Sequence, residues 1–179
     1  MPEFLHGHVG SRLTDLLDSA ALALIRAHEL RALDTRNNDE YIHVVMDGGF
    51  MFAADFVRAY IGRIAKINFI RVSRGYSTGK VHPPHFQEKA PAYLRNLSTR
   101  HTHLILDVCT ETGVTLAFMK GAVSINNPNV KILTCVLVGI RRMPLEADLV
   151  GLLCTQNLFL TGYGMGPRRD TAAIYGIPR

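Results

Sequence analysis

The chain has 179 residues, of which 47% are hydrophobic, and carries a formal charge of +5 with a pI near 9.3. That length can bury a sizeable core without staples, and no apolar run reaches the length of a membrane-spanning helix. The arginines are scattered apart from Arg141-Arg142 and Arg168-Arg169, so the charge reads as a solvated basic surface, and a nucleic-acid partner is disfavoured for want of a basic or aromatic-basic stripe.

Residues Met1–His8 lack the basic and apolar regions of a secretory signal, which leaves room for a removed transit peptide. Over residues 11–33, Leu13, Leu16, Leu17, Ala20, Ala21, Leu24 and Ile25 recur at three- and four-residue steps. That period predicts an amphipathic helix, capped by Ser11 or Thr14. The turn cluster Asp34–Asp39 ends it, so residues 1–40 are expected as an N-terminal helix and 41–179 as the main unit.

Ile42–Met46 is a short β-branched run and predicts a buried strand. Asp47-Gly48-Gly49 turns the chain into a helix carrying Phe52, Phe56, Tyr60 and Ile61, and Ile67–Val72 is the next strand. Strand, turn, helix, strand is a βαβ unit, which implies a parallel sheet with a right-handed crossover. Residues 73–100 hold Gly75, Gly79, Pro83, Pro84 and Pro91 with little periodicity, the mark of a lid or an unstructured segment. His82, His85, His101 and His103 have no carboxylate or thiolate at ligand spacing, and are expected as scattered loop histidines with no metal.

The central stretch runs from His103 to Thr115. Leu104, Ile105 and Leu106 form a strand that enters an acidic, Thr/Gly-rich turn, and a helix follows over Leu116–Val123. Backbone N–H groups of such a turn, together with the helix dipole, favour an anion. Val130–Val138 reads as a continuous buried strand after the Asn126–Asn129 turn. Two short strands follow at Leu149–Leu153 and Leu158–Leu160, then a polar tail from Pro167. Gly162-x-Gly-x-Gly166 precedes no helix pattern and is no dinucleotide fingerprint. Cys109, Cys135 and Cys154 lie in apolar surroundings and read as buried free thiols of a reducing compartment.

Taken in order, four of these segments resemble the type I phosphoribosyltransferases, and within them the hypoxanthine-guanine enzymes. The strand with Asp107 at its end, followed by Glu111-Thr112-Gly113-Val114-Thr115, is similar to the family's phosphoribosyl-diphosphate loop. Val45–Asp55 resembles its Leu-Lys-Gly-Gly-x-x-Phe-x-Ala-Asp block, Asn68–Val72 the strand before its lid, and Phe159–Gly166 its purine-side segment. The resemblance implies an α/β fold, with a twisted, mainly parallel sheet flanked by helices and a small C-terminal hood. It also implies a reaction in which a purine nitrogen displaces pyrophosphate from ribose C1, with Mg²⁺ holding the leaving group.

On that resemblance, Thr112, Gly113, Val114 and Thr115 cradle the 5′-phosphate, Gly48 and Gly49 face the diphosphate, and Phe159 stacks on the purine. Glu111 stands for the family's aspartate base, one methylene longer, and Asp107 for the first of its two adjacent acids. A misplacement of about 1 Å can cost roughly 100-fold in rate. The second acid falls on Val108, which forfeits about 1.5–3 kcal/mol of charge-assisted hydrogen bonding. The lysine before Gly-Gly falls on Asp47, the purine-reading lysine on Gly139, the metal-binding aspartate on Gly166 and a diphosphate arginine near Ala172. Arg141 or Arg142 is the candidate substitute for the lysine.

These departures predict a protein that keeps the fold and has lost the reaction. The expectation is an accessory or scaffold subunit of a larger assembly, bound to other protein subunits and retaining a phosphate or purine-nucleotide site. The alternative is an active, divergent 6-oxopurine phosphoribosyltransferase of purine salvage; Mg²⁺ is expected as a cofactor only in that case. Basicity and arginine richness point to the mitochondrial matrix, with the cytoplasm as the alternative.

Overall fold

A computed structural model describes residues 39–60, 63–73, 76–77, 80–87, 89–140, 147–154, 158–166 and 174–178. The helix expected over 11–33, Arg141, Arg142 and Ala172 lie outside them. Strand β1 (Glu40–Met46) leads through Asp47-Gly48 into helix α1 (Gly49–Ala59), and α1 crosses to β2 (Ile64–Ser73). Strand β6 (Thr102–Thr110) repeats the pattern, with helix α2 (Val114–Ser124) crossing to β7 (Lys131–Ile140). Between the two units lie the short strands β3 (Tyr76–Ser77), β4 (Lys80–Val81) and β5 (His85–Phe86), and a 3₁₀ turn at Ala92–Arg95. Strands β8 (Leu149–Cys154), β9 (Leu158–Gly162) and β10 (Ile174–Pro178) complete the described chain.

The main sheet has the order β5-β2-β1-β6-β7-β8, and every neighbouring pair in it is parallel except β2–β5. Period-2 alternation splits its side chains between two cores. Ile42, Val44, Leu104 and Leu106 pack against Phe52 and Phe56 of α1, while Val45, Ile105 and Val136 pack against Leu116, Met119 and Val123 of α2. The helices therefore cover opposite faces, as a sheet hydrophobic on both sides requires. Phe52 and Phe56 are wholly buried, and each is worth about 1.5–3 kcal/mol of transfer free energy.

Three expectations change. The 73–100 segment is not wholly irregular: Leu94 is buried in the α2-side core, and Phe86 packs at a tilt against Phe118, ring centroids 4.8 Å apart. Its short strands escaped notice because two residues carry no period. The tail is not patternless either, since β10 pairs antiparallel with β9 to form the hood. The third concerns the histidines. His103 is no loop residue; it lies fully buried in β6 beside His43 of β1. All three cysteines are free, with Cys135 and Cys154 buried but Cys109 only partly so.

Candidate functional site

Strand β1 connects outward to β2 and strand β6 connects the other way to β7, so the sheet order reverses between β1 and β6. In open α/β sheets the crevice outside the carboxyl ends of two such strands is where ligands bind. Two loops form it here, Asp47–Gly49 after β1 and Glu111–Gly113 after β6.

The β6 loop is shaped by Gly113, whose φ of 71° is the left-handed conformation glycine adopts without cost. Its N–H donates to Thr110 Oγ1 at 3.1 Å, and its C=O accepts from Ala117 N–H at 2.8 Å, which starts α2. No side chain caps α2, and its first turn holds no acid. The amides of Val114 and Thr115 therefore sit at a positive helix end, a disposition that suits a phosphate.

The β1 loop is tightly packed. A Cβ on Gly48 would come within 2.8 Å of Val108 Cγ1 and 3.4 Å of Met165 Cγ; one on Gly49 would meet Leu106 O at 3.4 Å. A Cβ on Gly164 (φ +83°) would lie 2.9 Å from Gly48 O. Three loops thus converge on Gly48, including the turn of the hood. The Met46–Asp47 peptide is cis. Asp47 pairs with Arg71 at the end of β2, 3.4 Å away, and both are more than half exposed.

Asp107 is buried at the end of β6. Its Oδ1 accepts the N–H of Val108 at 2.8 Å. Burial pushes the carboxyl up to about 7, against the opposing pull of the Val108 and Cys109 N–H groups. Val108 belongs to the α1-side core. Glu111 is partly exposed beside Gly113, and Phe159 on β9 is exposed at the surface. Gly139 is buried within β7. Gly166 has φ +57°, and a Cβ there would fall 2.9 Å from Thr161 Oγ1.

The structure thus brings Gly48 and Gly49 against the end of β6, and places Glu111–Gly113 in the turn and Val114 and Thr115 at the start of α2. The sequence reading missed Tyr163, whose φ of 51° is rare for a bulky residue. Its hydroxyl donates to Asp55 of α1, which also pairs with Arg58. A Gly-Tyr-Gly run downstream of an α1 acid was the available signal.

No protein-family model matches the chain, and no curated protein matches its sequence. Solved structures do match. A hypoxanthine-guanine phosphoribosyltransferase from Bacillus anthracis aligns at a TM-score of 0.68 and 22% identity, over 91% of this chain and 93% of that one. The Trypanosoma cruzi hypoxanthine phosphoribosyltransferase, in complex with the product IMP, aligns at 0.71 and 21%, over 91% and 90%. A Staphylococcus aureus hypoxanthine phosphoribosyltransferase gives 0.67 and 20%, over 89% and 88%. The fold is that of a type I phosphoribosyltransferase. Within it, the turn after β6 is the segment whose sequence resembles that family's phosphoribosyl-diphosphate loop, and β9 with β10 forms the small C-terminal sheet.

Proposed function

We propose that this chain is a phosphoribosyltransferase-like protein without transferase activity. It acts as an accessory subunit of a larger assembly, and keeps a phosphate or purine-nucleotide site at Thr112, Gly113, Val114 and Thr115. The observation that carries this reading is the packing around the missing acids. Val108, where the family has its second carboxylate, is locked into the core against Gly48. Asp107 turns its carboxylate into its own backbone. Asp47 brings negative charge to the diphosphate side and is already paired with Arg71. An aspartate at Gly166 would meet both a left-handed backbone and Thr161, so the residues present do not fit a magnesium diphosphate and no metal step is assigned. These departures are fixed by their neighbours, which supports long release from catalysis rather than one recent substitution.

The uncapped start of α2 and left-handed Gly113 favour the retained cradle. They also support the second reading, an active 6-oxopurine transferase with Glu111 as base and Arg142 in place of the lysine. The seat for partner subunits is at Phe50 and Phe69, which are 50% and 53% exposed with ring centroids 6.0 Å apart. Large apolar side chains grouped at a surface mark interaction sites. A pI near 9.3 supports a mitochondrial setting.

Calorimetric titration with GMP, and with phosphoribosyl diphosphate plus Mg²⁺, separates the readings. The expected result is GMP binding abolished by Thr112→Ala together with Gly113→Val, and no Mg²⁺-dependent diphosphate binding. Mg²⁺-dependent binding followed by turnover of guanine or hypoxanthine would establish the enzyme instead.

A further inference from the structure

On the α2-side face, at the amino-terminal halves of the strands and away from the cradle, three imidazoles and two phenols form a stack. Tyr41 lies between His101 and His103 at 4.7 and 5.3 Å, His103 on His43 at 5.4 Å, and His43 on Tyr93 at 6.2 Å. The hydrogen bonds within it fix each tautomer. His103 Nε2 lies 3.1 Å from Ser98 O, and a carbonyl only accepts, so Nε2 carries the proton. His103 Nδ1 then accepts from His43 Nε2–H at 3.1 Å. His43 Nδ1 is left as an acceptor, and Asn68 Nδ2–H donates to it at 3.5 Å. The result is a one-way chain, Asn68 to His43 to His103 to the Ser98 carbonyl, with both rings neutral.

This chain orients Asn68. With its Nδ2 committed to His43, its Oδ1 is an acceptor with no described partner, on a residue that lines a cavity.

 That cavity measures about 360 Å³ and is lined by Tyr41, Lys66, Asn68, Tyr93 and Ser98 among others, a size in the range of small-molecule sites. Two further groups at it are unspent. The Tyr93 hydroxyl is buried with no hydrogen-bond partner among the described residues, a state that ordinarily costs about 1–3 kcal/mol. Lys66 holds its ammonium 5.5 Å over the Tyr93 ring and has no carboxylate partner among the described residues. Burial raises the Tyr93 phenol to about 12, so it stays a donor.

We propose that this cavity is a binding site for a small hydroxycarboxylate. The carboxylate pairs with Lys66 and accepts the Tyr93 O–H, and the hydroxyl donates to Asn68 Oδ1. A simple anion would satisfy the first two groups and leave the third unused; the oriented amide is what selects a hydroxyl. Because Asn68 leads into the imidazole chain, occupancy is read at His43 and His103.

The test is a titration of the full chain, with ¹⁵N-labelled histidine followed by NMR, using L-malate, succinate and inorganic phosphate as probes. Both rings are expected as Nε2–H tautomers, with saturable shifts at His43 on adding malate. Succinate, lacking the hydroxyl, should bind about 10-fold more weakly, and so should malate to Lys66→Met or Tyr93→Phe. Thr112→Ala should leave malate binding unchanged, which separates this site from the nucleotide cradle. The proposal is overturned if malate shifts nothing at millimolar concentration, if succinate or phosphate binds as well, or if Tyr93→Phe binds malate like the parent.

Discussion

Asp107 and His43 are both buried, titratable and central, and they tilt stability in opposite directions with pH. The Asp107 carboxyl is raised to about 7 by desolvation, so between about 4 and 7 the folded chain holds a proton that the unfolded chain has released. Stability from this group is present at low pH and is lost as pH rises through that window. Asp107→Asn keeps an acceptor for the Val108 N–H and removes the charge. It should stabilise the protein by about 1–3 kcal/mol at pH 8 and change little at pH 4, as thermal melts at the two pH values would measure; equal effects at both would sink the argument. His43 is lowered to about 3 by burial and by neighbouring His103, which is itself lowered. Its proton is taken up only on unfolding, so stability is present above about 6.5 and falls as pH drops towards 3. His43→Gln, able to donate to His103 and accept from Asn68, should be less stable by about 1–2 kcal/mol at neutral pH. Its acid limb in denaturant titrations should nonetheless be flatter than that of the parent.

Among the elements, the hood is tied to α1 by a hydrogen bond from Tyr163. Tyr163 holds a left-handed backbone that its side chain disfavours, and its hydroxyl reaches Asp55 on α1. The same turn is closed by paired bonds between Gly162 and Met165, each 2.9 Å. Asp55→Ala should lower stability by about 1.5–3 kcal/mol, the range for a hydrogen bond to a charged group. Hydrogen exchange should quicken at the Gly162 and Met165 amides while those of β6 stay protected; uniform quickening would mean that Asp55 serves the whole core. The sequence spoke clearly wherever burial imposed a period. The α1 helix could be read because its apolar residues repeat near 3.6, and the central strand and β7 because each is an unbroken apolar run. It was silent where pairing is backbone to backbone, as in β10, whose partner β9 is fixed by register and not by pattern. The turn after β6 could be read because its Thr and Gly residues are contiguous. The convergence on Gly48 could not, since Val108 and Gly164 reach it from distant segments. His43 and His103 were hidden for the same reason, being 60 residues apart in the chain.

At the scale of the molecule, the accessory-subunit reading rests on surface that a lone chain would leave wet. Phe50 and Phe69 stand beside a cavity of about 390 Å³ that Arg71 and Lys89 also line. Phe50→Ser with Phe69→Ser removes half-exposed rings and should leave the melting temperature nearly unchanged. In gradients of cell extract the parent chain should sediment with a large assembly and the double variant as a free chain. Co-sedimentation of both would move the partner surface elsewhere.

The parallel pairing of β1 with β6 also sets an order of events. Strand β1 meets β2 soon after both are made, but its other edge waits for Thr102–Leu106 to arrive. Until then, the half-sheet carries a bare central edge of β-branched residues, the kind of edge that recruits other chains. Pairings this distant in sequence form slowly. On a ribosome, the nascent chain therefore passes through a long interval in which its middle, rather than its rim, is the sticky part.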